Sequence, residues 1–334
     1  MSARHIAATF AAIAVAFLAT SGCAARRPAK PRPDQPPAAK LRVAGIGFQD
    51  DQFFRQVELG MRAEADKLGV ELLPGTSANS LDKEVALLDT QVAAKVDAIC
   101  VAPLNPKSSI PAVQRAADAG IKVVTFDAYV ASDVPVSSIR SDQSALGALT
   151  GAEARKHIQA RLGGKARVAI ISYVTLLAEP ARQRTDGFIK EIRALPGVQI
   201  VTRQDAWLAP KAADVVADIL TAYPDINLIW AANEGGTVGA VTAVRASGKA
   251  GKVVVFGTDI STQMADFLLA DDNILQAVTG QKPYEIGSLA VASAVKAVRG
   301  EPVPKHVSLP GVLFTRAKPD EVRKHREYLQ GLAR

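Results

Sequence analysis

From residue 41 onward, short apolar runs of strand length alternate with longer segments of helical period. Runs at 41–48, 70–73, 98–101 and 121–126 are separated by helical patterns at 52–68, at 81–95 and in the stretch ending at Gly120. Strands that are apolar throughout, instead of alternating, are buried on both faces, and strand–helix–strand order implies parallel neighbours. A second series follows Ser141, with helices reaching Leu162 and at 180–194, 211–223, 237–247 and 262–270. Its strands fall at 167–173, 198–202, 226–231, 252–257 and 274–279. Single cores stop growing near 250–300 residues, so the spacing predicts an α/β chain of two doubly wound parallel-sheet lobes. Gly69, Gly120, Gly248 and Gly300 stand just past helical segments, where a left-handed cap costs least, and Pro180, Pro210 and Pro283 stand near helix starts.

The chain before residue 41 is of another kind. Arg4 precedes an uncharged apolar stretch at 6–19, and Thr20-Ser21-Gly22 leads into Cys23. This is the composition of an export leader. It resembles a bacterial lipoprotein signal, with Thr20 where such signals usually carry Leu, so residues 1–22 are expected to be removed and Cys23 lipidated. Residues 23–40 mix five prolines, from Pro28 to Pro37, with Arg26, Arg27, Lys30 and Arg32, and read as a semi-stiff tether. The mature protein is then expected to be periplasmic or at the cell surface, held to a membrane only through its lipid. The first 40 residues carry six Lys or Arg against one acid, which accounts for most of the net charge of +7. The remaining body is nearly neutral, so its composition shows no strongly basic face for phosphates and no nucleic-acid partner is expected. Cys100, in an apolar run, reads as a core residue and not a nucleophile.

Open parallel sheets bind ligands outside the carboxyl ends of their strands, so the residues that follow each strand carry the functional information. Here they are Gln49, Asp51, Phe53 and Phe54 after the first strand, Asp127 after the fourth, and Asn233, Asp259 and Gln281 in the second series. Arg184 on a helix and Trp207 after a strand join them. Carboxylates accept from hydroxyls, amides donate and accept, and a guanidinium donates in a fixed fork, while a sugar ring presents an apolar face to Phe or Trp. The set suits a small polyhydroxylated molecule.

Several local stretches, in order and spacing, carry a family resemblance. They are Asp51-Gln52-Phe53-Phe54 with Gly60; Glu64-Ala65-Asp66-Lys67-Leu68-Gly69; the stretch from Ala119-Gly120 through Phe126-Asp127; Arg182-Gln183-Arg184-Thr185-Asp186-Gly187-Phe188; Phe256-Gly257-Thr258-Asp259; and Gln281-Lys282-Pro283-Tyr284. From residue 41 to about 300 the chain resembles the ribose-type periplasmic sugar-binding proteins that serve ABC importers. The resemblance implies a periplasmic-binding-protein-like fold of type I. Its lobes would comprise 41–141 plus 282–309 and 142–281 plus 310–334, joined by a multi-stranded hinge. It places Phe53 and Trp207 on the two faces of the sugar with Phe54 close behind, and Asp127, Arg184, Asn233, Asp259 and Gln281 on its polar groups. Asp51 stands where ribose binders carry Asn, Ala128 where they carry a second Arg, and Ala102 where they carry Asn. These departures point away from ribose towards a bulkier or hydroxyl-rich sugar, a polyol or a cationic adduct.

Each assignment has a structural rival. Asp127 and Asp259 fit loop acids or helix caps, Arg184 a surface pair with Glu179 or Asp186, and Asn233 a plain strand end. Phe53 and Phe54, as helix neighbours, are expected to point different ways. His5, His157, His306 and His325 form no pairing with a nucleophile and no ligand spacing, so no enzyme, metal or cofactor is expected. The expected partners are the small ligand and an ABC permease, with a membrane sensor or kinase as the alternative reader of a monomer.

Overall fold

The computed structural model describes residues 40–332. The leader, Cys23 and the tether lie outside the described residues. The chain enters through β1 (Arg42–Gly47), α1 (Gln52–Leu68), β2 (Glu71–Thr76), α2 (Leu81–Ala93), β3 (Ala98–Val101), α3 (Ile110–Asp118), β4 (Lys122–Phe126) and β5 (Ser137–Ser141). These strands form a parallel sheet in the order β2-β1-β3-β4-β5, joined at the β5 edge by β11 (His306–Leu309). The chain then builds α4 (Gln143–Arg161), β6 (Lys165–Ser172), α5 (Ala178–Ile192), β7 (Gly197–Asp205), α6 (Ala209–Ala222) and β8 (Leu228–Ala231). It continues through α7 (Glu234–Ala246), β9 (Val254–Thr258), α8 (Thr262–Leu269) and β10 (Leu275–Gly280). The second sheet repeats the first, in the order β7-β6-β8-β9-β10, and β12 (Val312–Thr315) adds antiparallel at the β10 edge. Two lobes with one strand order result.

Three stretches pass between the sheets: after β5, between β10 and α9 (Pro283–Val298), and between β11 and β12. They are tied to one another. Asp142 N–H donates to the Leu309 carbonyl at 3.0 Å, and the Ser141 hydroxyl donates to the Gln281 amide oxygen at 2.7 Å. Helix α9 returns to pack on α1, and α10 (Pro319–Leu332) packs on α8.

Each lobe is held by aliphatic layers on both faces of its sheet, as continuous apolar strands require. In the second lobe Trp230 of β8 stacks on Phe188 of α5 at 4.6 Å, and its indole N–H donates to the Thr150 hydroxyl at 3.1 Å. Cys100 is wholly buried in β3, and burial pushes its thiol up to about 12, which makes it a core residue. Several boundaries move by one to three residues from the sequence expectation, and two differences have a clear physical cause. Helix α7 begins three residues early, at Glu234, because the Asn233 side chain caps it by accepting from Gly236 N–H at 3.2 Å. Strand β5 was absent from the apolar series because its residues are Ser137-Ser138-Ile139-Arg140-Ser141, and it is a strand only because β4 and β11 flank it.

Candidate ligand-binding cleft

The carboxyl ends of the two sheets face a cleft of about 270 Å³ between the lobes. All nine candidate residues line it: Asp51, Phe53, Phe54, Asp127, Arg184, Trp207, Asn233, Asp259 and Gln281. Gln143, Tyr173, Glu234 and Gln263 line it too and were missed from the sequence.

Local structure explains each placement. Asp51 caps α1, accepting from Phe54 N–H at 2.9 Å, and its other oxygen accepts from the Gln49 amide at 2.7 Å. Phe53 and Phe54 both line the cleft, but their side chains meet different surroundings. Phe54 is buried among Phe48, Phe53 and Phe126 in edge-on contacts, while Phe53 stays half-exposed at the opening.

Arg184 is only 4% exposed, which rules out the surface pair. Its helix α5 meets α4 backbone to backbone: a Cβ on Gly147 would stand 1.8 Å from the Arg184 carbonyl oxygen, and one on Gly187 2.2 Å from that of Ser144. This contact brings the guanidinium over the start of α4. There Nε donates to the Gln143 amide oxygen at 2.9 Å, as does Nη2, and Nη1 donates to the Ala232 carbonyl at 2.7 Å. Gln143 thus acts as the positioning residue for Arg184. The guanidinium also lies over the Tyr173 ring at 5.4 Å, and burial pushes that phenol up to about 12.

Trp207 follows β7 and half-emerges into the cleft. It is anchored by its backbone, whose carbonyl accepts from the Asn233 amide at 2.9 Å. A Cβ at Gly235 would sit 2.1 Å from the same carbonyl oxygen, so Gly235 is what lets the Trp207 segment approach α7. Asn233 is therefore a cap and a clamp as well as a cleft residue.

Asp127 and Asp259 follow β4 and β9, the corresponding strands of the two sheets. Both have left-handed backbones, φ 58° and 73°, which Asp tolerates better than most residues. Asp259 is fully engaged: one oxygen accepts from Gln281 Nε2 at 2.7 Å, and the other from Glu234 N–H at 2.9 Å with Arg184 Nη1 at 3.8 Å. The Asp127 carboxyl accepts no hydrogen bond from any described residue. Burial pushes it up to about 7; Arg184 opposes this, and Asp259 and Asp51 add to it. Glu234 is likewise pushed up to about 7 by burial, with a Ser261 hydrogen bond opposing and Asp259 and Asp51 adding. Asp51 is also raised, first by burial, against the Phe54 N–H and then with Asp259 repelling it.

Across the cleft from α1, the Thr262 N–H at the start of α8 donates to the Gln52 amide oxygen at 3.4 Å, and Leu177 packs on cores of both lobes. The lobes are drawn together over a cavity whose polar groups come from both.

Residues 46–302 match the periplasmic binding protein domain family. The chain belongs to that family. Among relatives, the D-ribose/D-allose-binding protein of Pseudomonas aeruginosa is 30% identical, over 91% of this chain and 93% of its own length. The ABC transporter periplasmic-binding protein YphF of Escherichia coli is 29% identical, over 84% of this chain and 88% of its own. A solved solute-binding protein from Actinobacillus succinogenes with bound D-allose superimposes with a TM-score of 0.78 at 27% identity, covering 84% of this chain and all of that one. The fold is that of the family's type I binding proteins, and these relatives are binding proteins, not enzymes.

Proposed function

We infer that this protein is the extracytoplasmic solute-binding component of an ABC importer, and that it captures a small sugar or polyol in the interlobe cleft. The convergence of strand-end polar groups and two aromatic faces on one cavity carries this reading, supported by the sugars named for its relatives. Asn233, Gln281, Arg184 and the strand-end aspartates supply acceptors and donors for hydroxyls, and Trp207 and Phe53 supply flat apolar surface for a ring. Capture and closure are one equilibrium. A ligand that touches both lobes only when they are shut stabilises the shut form by its differential affinity, and a permease reads that form. The moving bodies are 41–141 plus 282–309 and 142–281 plus 310–334, as strand membership supports. Gln281, bonded to Ser141 in the hinge and to Asp259 in the cleft, links ligand contact to hinge geometry.

A thermal-shift screen over pentoses, hexoses and inositols tests the reading. A ligand at a hundredfold excess over its Kd stabilises the native state by about 2.7 kcal/mol, a rise of several degrees. Absence of any shift across all polyols, or recovery of a chemically altered ligand by mass spectrometry, overturns it. Trp207 gives a second readout, since Trp230 is wholly buried in the core and only Trp207 meets the ligand. The proposed tether rests on Cys23 alone: Cys23→Ser is expected to release the protein from membranes, and retention refutes the lipid anchor. Vesicles bearing a cognate permease and ATPase are expected to accumulate ligand only with the protein present. Ligand-dependent activation of a membrane kinase without uptake marks the sensing role instead.

A further inference from the structure

The charge of the cleft narrows the ligand class, and this inference rests on the reading of the cleft as a polyol site. Its ionisable lining is Asp51, Asp127, Glu234 and Asp259 against a single cation, Arg184. That guanidinium is already committed to Gln143, to the Ala232 carbonyl and to Asp259, its only carboxylate within ion-pair distance. The cations outside the lining are occupied elsewhere: Arg55 pairs with Asp50 at 3.1 Å, and Arg140 lies over the Tyr129 ring at 4.8 Å. Four carboxyl groups therefore share one small cavity with a single guanidinium, which pairs with Asp259 and offsets Asp127 only in part.

Closure over a neutral sugar would bury those carboxyls together, which costs either protonation of some of them or unpaired buried charge. A ligand that brings its own positive charge removes the conflict. We propose that the cleft is built for a cationic polyol: a small hydroxylated ring bearing a protonated amino group, with its ammonium beside Asp51. Of the three carboxyls without an ion pair, Asp51 is the one that repels all of the other three acids, so a charge placed there relieves each repulsion at once. It is also the position at which ribose binders carry Asn. The loss of their second Arg at Ala128, now 2% exposed, moves the balance in the same direction. Hydroxyls then fall to Asn233, Gln281 and Arg184, and the ring to Trp207.

The raised carboxyls supply a signature that a neutral ligand lacks. Around Asp127 stand Arg184, Asp259, Asp51 and Arg140, and around Glu234 stand Ser261, Asp259, Asp51 and Arg55. Both groups hold protons in part at neutral pH, and an ammonium favours their ionised forms. Binding therefore expels protons, and affinity for an amine rises from pH 6 to 8 until the amine itself deprotonates.

The test is calorimetry at pH 7, in two buffers of different ionisation enthalpy, with matched pairs: glucose and glucosamine, galactose and galactosamine, myo-inositol and an amino-deoxyinositol. In at least one pair the amine is expected to bind tenfold or more tighter, with proton release. Asp51→Asn, which keeps the α1 cap because Asn caps as well as Asp, is expected to collapse that preference towards unity. Equal or tighter binding of the neutral member in every pair overturns the amine assignment and leaves the polyol reading standing. Failure of all members to bind removes the polyol reading itself.

Discussion

Asp127 and Asp259 occupy the same place in the two lobes and live under opposite conditions. Each follows the corresponding strand of its sheet with a left-handed backbone, and each N–H donates to the next strand, to Ile139 at 3.0 Å and Thr279 at 2.8 Å. Asp259 is held by an amide side chain, the first N–H of α7 and a guanidinium. Asp127 sits in a tight turn, where Ala128 N–H reaches back to the Phe126 carbonyl at 2.6 Å, and its carboxyl is left without a partner. The second lobe thus presents a finished acceptor that also supports the fold. The first presents a carboxyl with no protein partner among the described residues, the group that the proposed ligand would engage. A carboxyl that lacks donors in such a cleft is poorly solvated, and a ligand that supplies them gains affinity from the relief.

The largest expected effect comes from the finished side. Asp259→Asn keeps the left-handed backbone but leaves either Gln281 or the Glu234 N–H without its acceptor and Arg184 without its carboxylate. Ligand affinity is expected to fall a hundredfold or more, and the ligand-free protein to lose about 2–3 kcal/mol, both read by calorimetry and thermal melting. An unchanged ligand-free melt would remove the structural half of the contrast.

Gly235→Ala tests the scaffold behind Trp207. Its new Cβ would meet the Trp207 carbonyl oxygen at 2.1 Å and push that segment out of register. Affinity is expected to drop about tenfold, with a loss of about 1–3 kcal/mol in stability typical of overpacking. Wild-type affinity in this variant would show that the indole position does not matter.

The smallest effect, and the one of opposite sign, belongs to Asp127. Folded Asp127 and Glu234 titrate near 7, whereas the unfolded groups titrate near 4. The folded state therefore holds more protons between those values, and ligand-free stability falls as pH rises from about 4 to 7, then levels. Asp127→Asn removes part of that slope. At pH 8 the variant is expected to melt about 1–2 °C above wild type, the shift that about 1 kcal/mol produces in a chain of this size, while binding ligand more weakly. At pH 4 the gain disappears. A variant less stable than wild type at pH 8 would place Asp127 among the supporting residues with Asp259.

Much of this was legible in the chain itself. The alternation of apolar runs with helical segments predicted two parallel sheets, because a strand buried on both faces is usually apolar along its whole length. The strand-end rule then picked out Asp51, Asp127, Asn233, Asp259 and Gln281, since strand ends are local features. Strand β5 escaped because Ser137 and Ser138 carry no apolar signal and pairing alone makes them a strand. Gln143 and Glu234 escaped for another reason. Each opens a helix, Glu234 right beside Asn233, but their parts depend on Arg184 and Asp259, which lie 41 and 25 residues away along the chain.

By itself, then, the order of residues determined the lobes, the type of chemistry at their facing ends and the identity of most groups there. Only the tertiary structure decided which of two equivalent aspartates is engaged, that Arg184 is spent on Gln143 and Asp259, and that four acids share a cavity with one cation. The reason is physical: periodicity and backbone preference act within a few residues and can be read along a line. Hydrogen-bond satisfaction and charge balance depend on distances in space between residues that sequence leaves far apart.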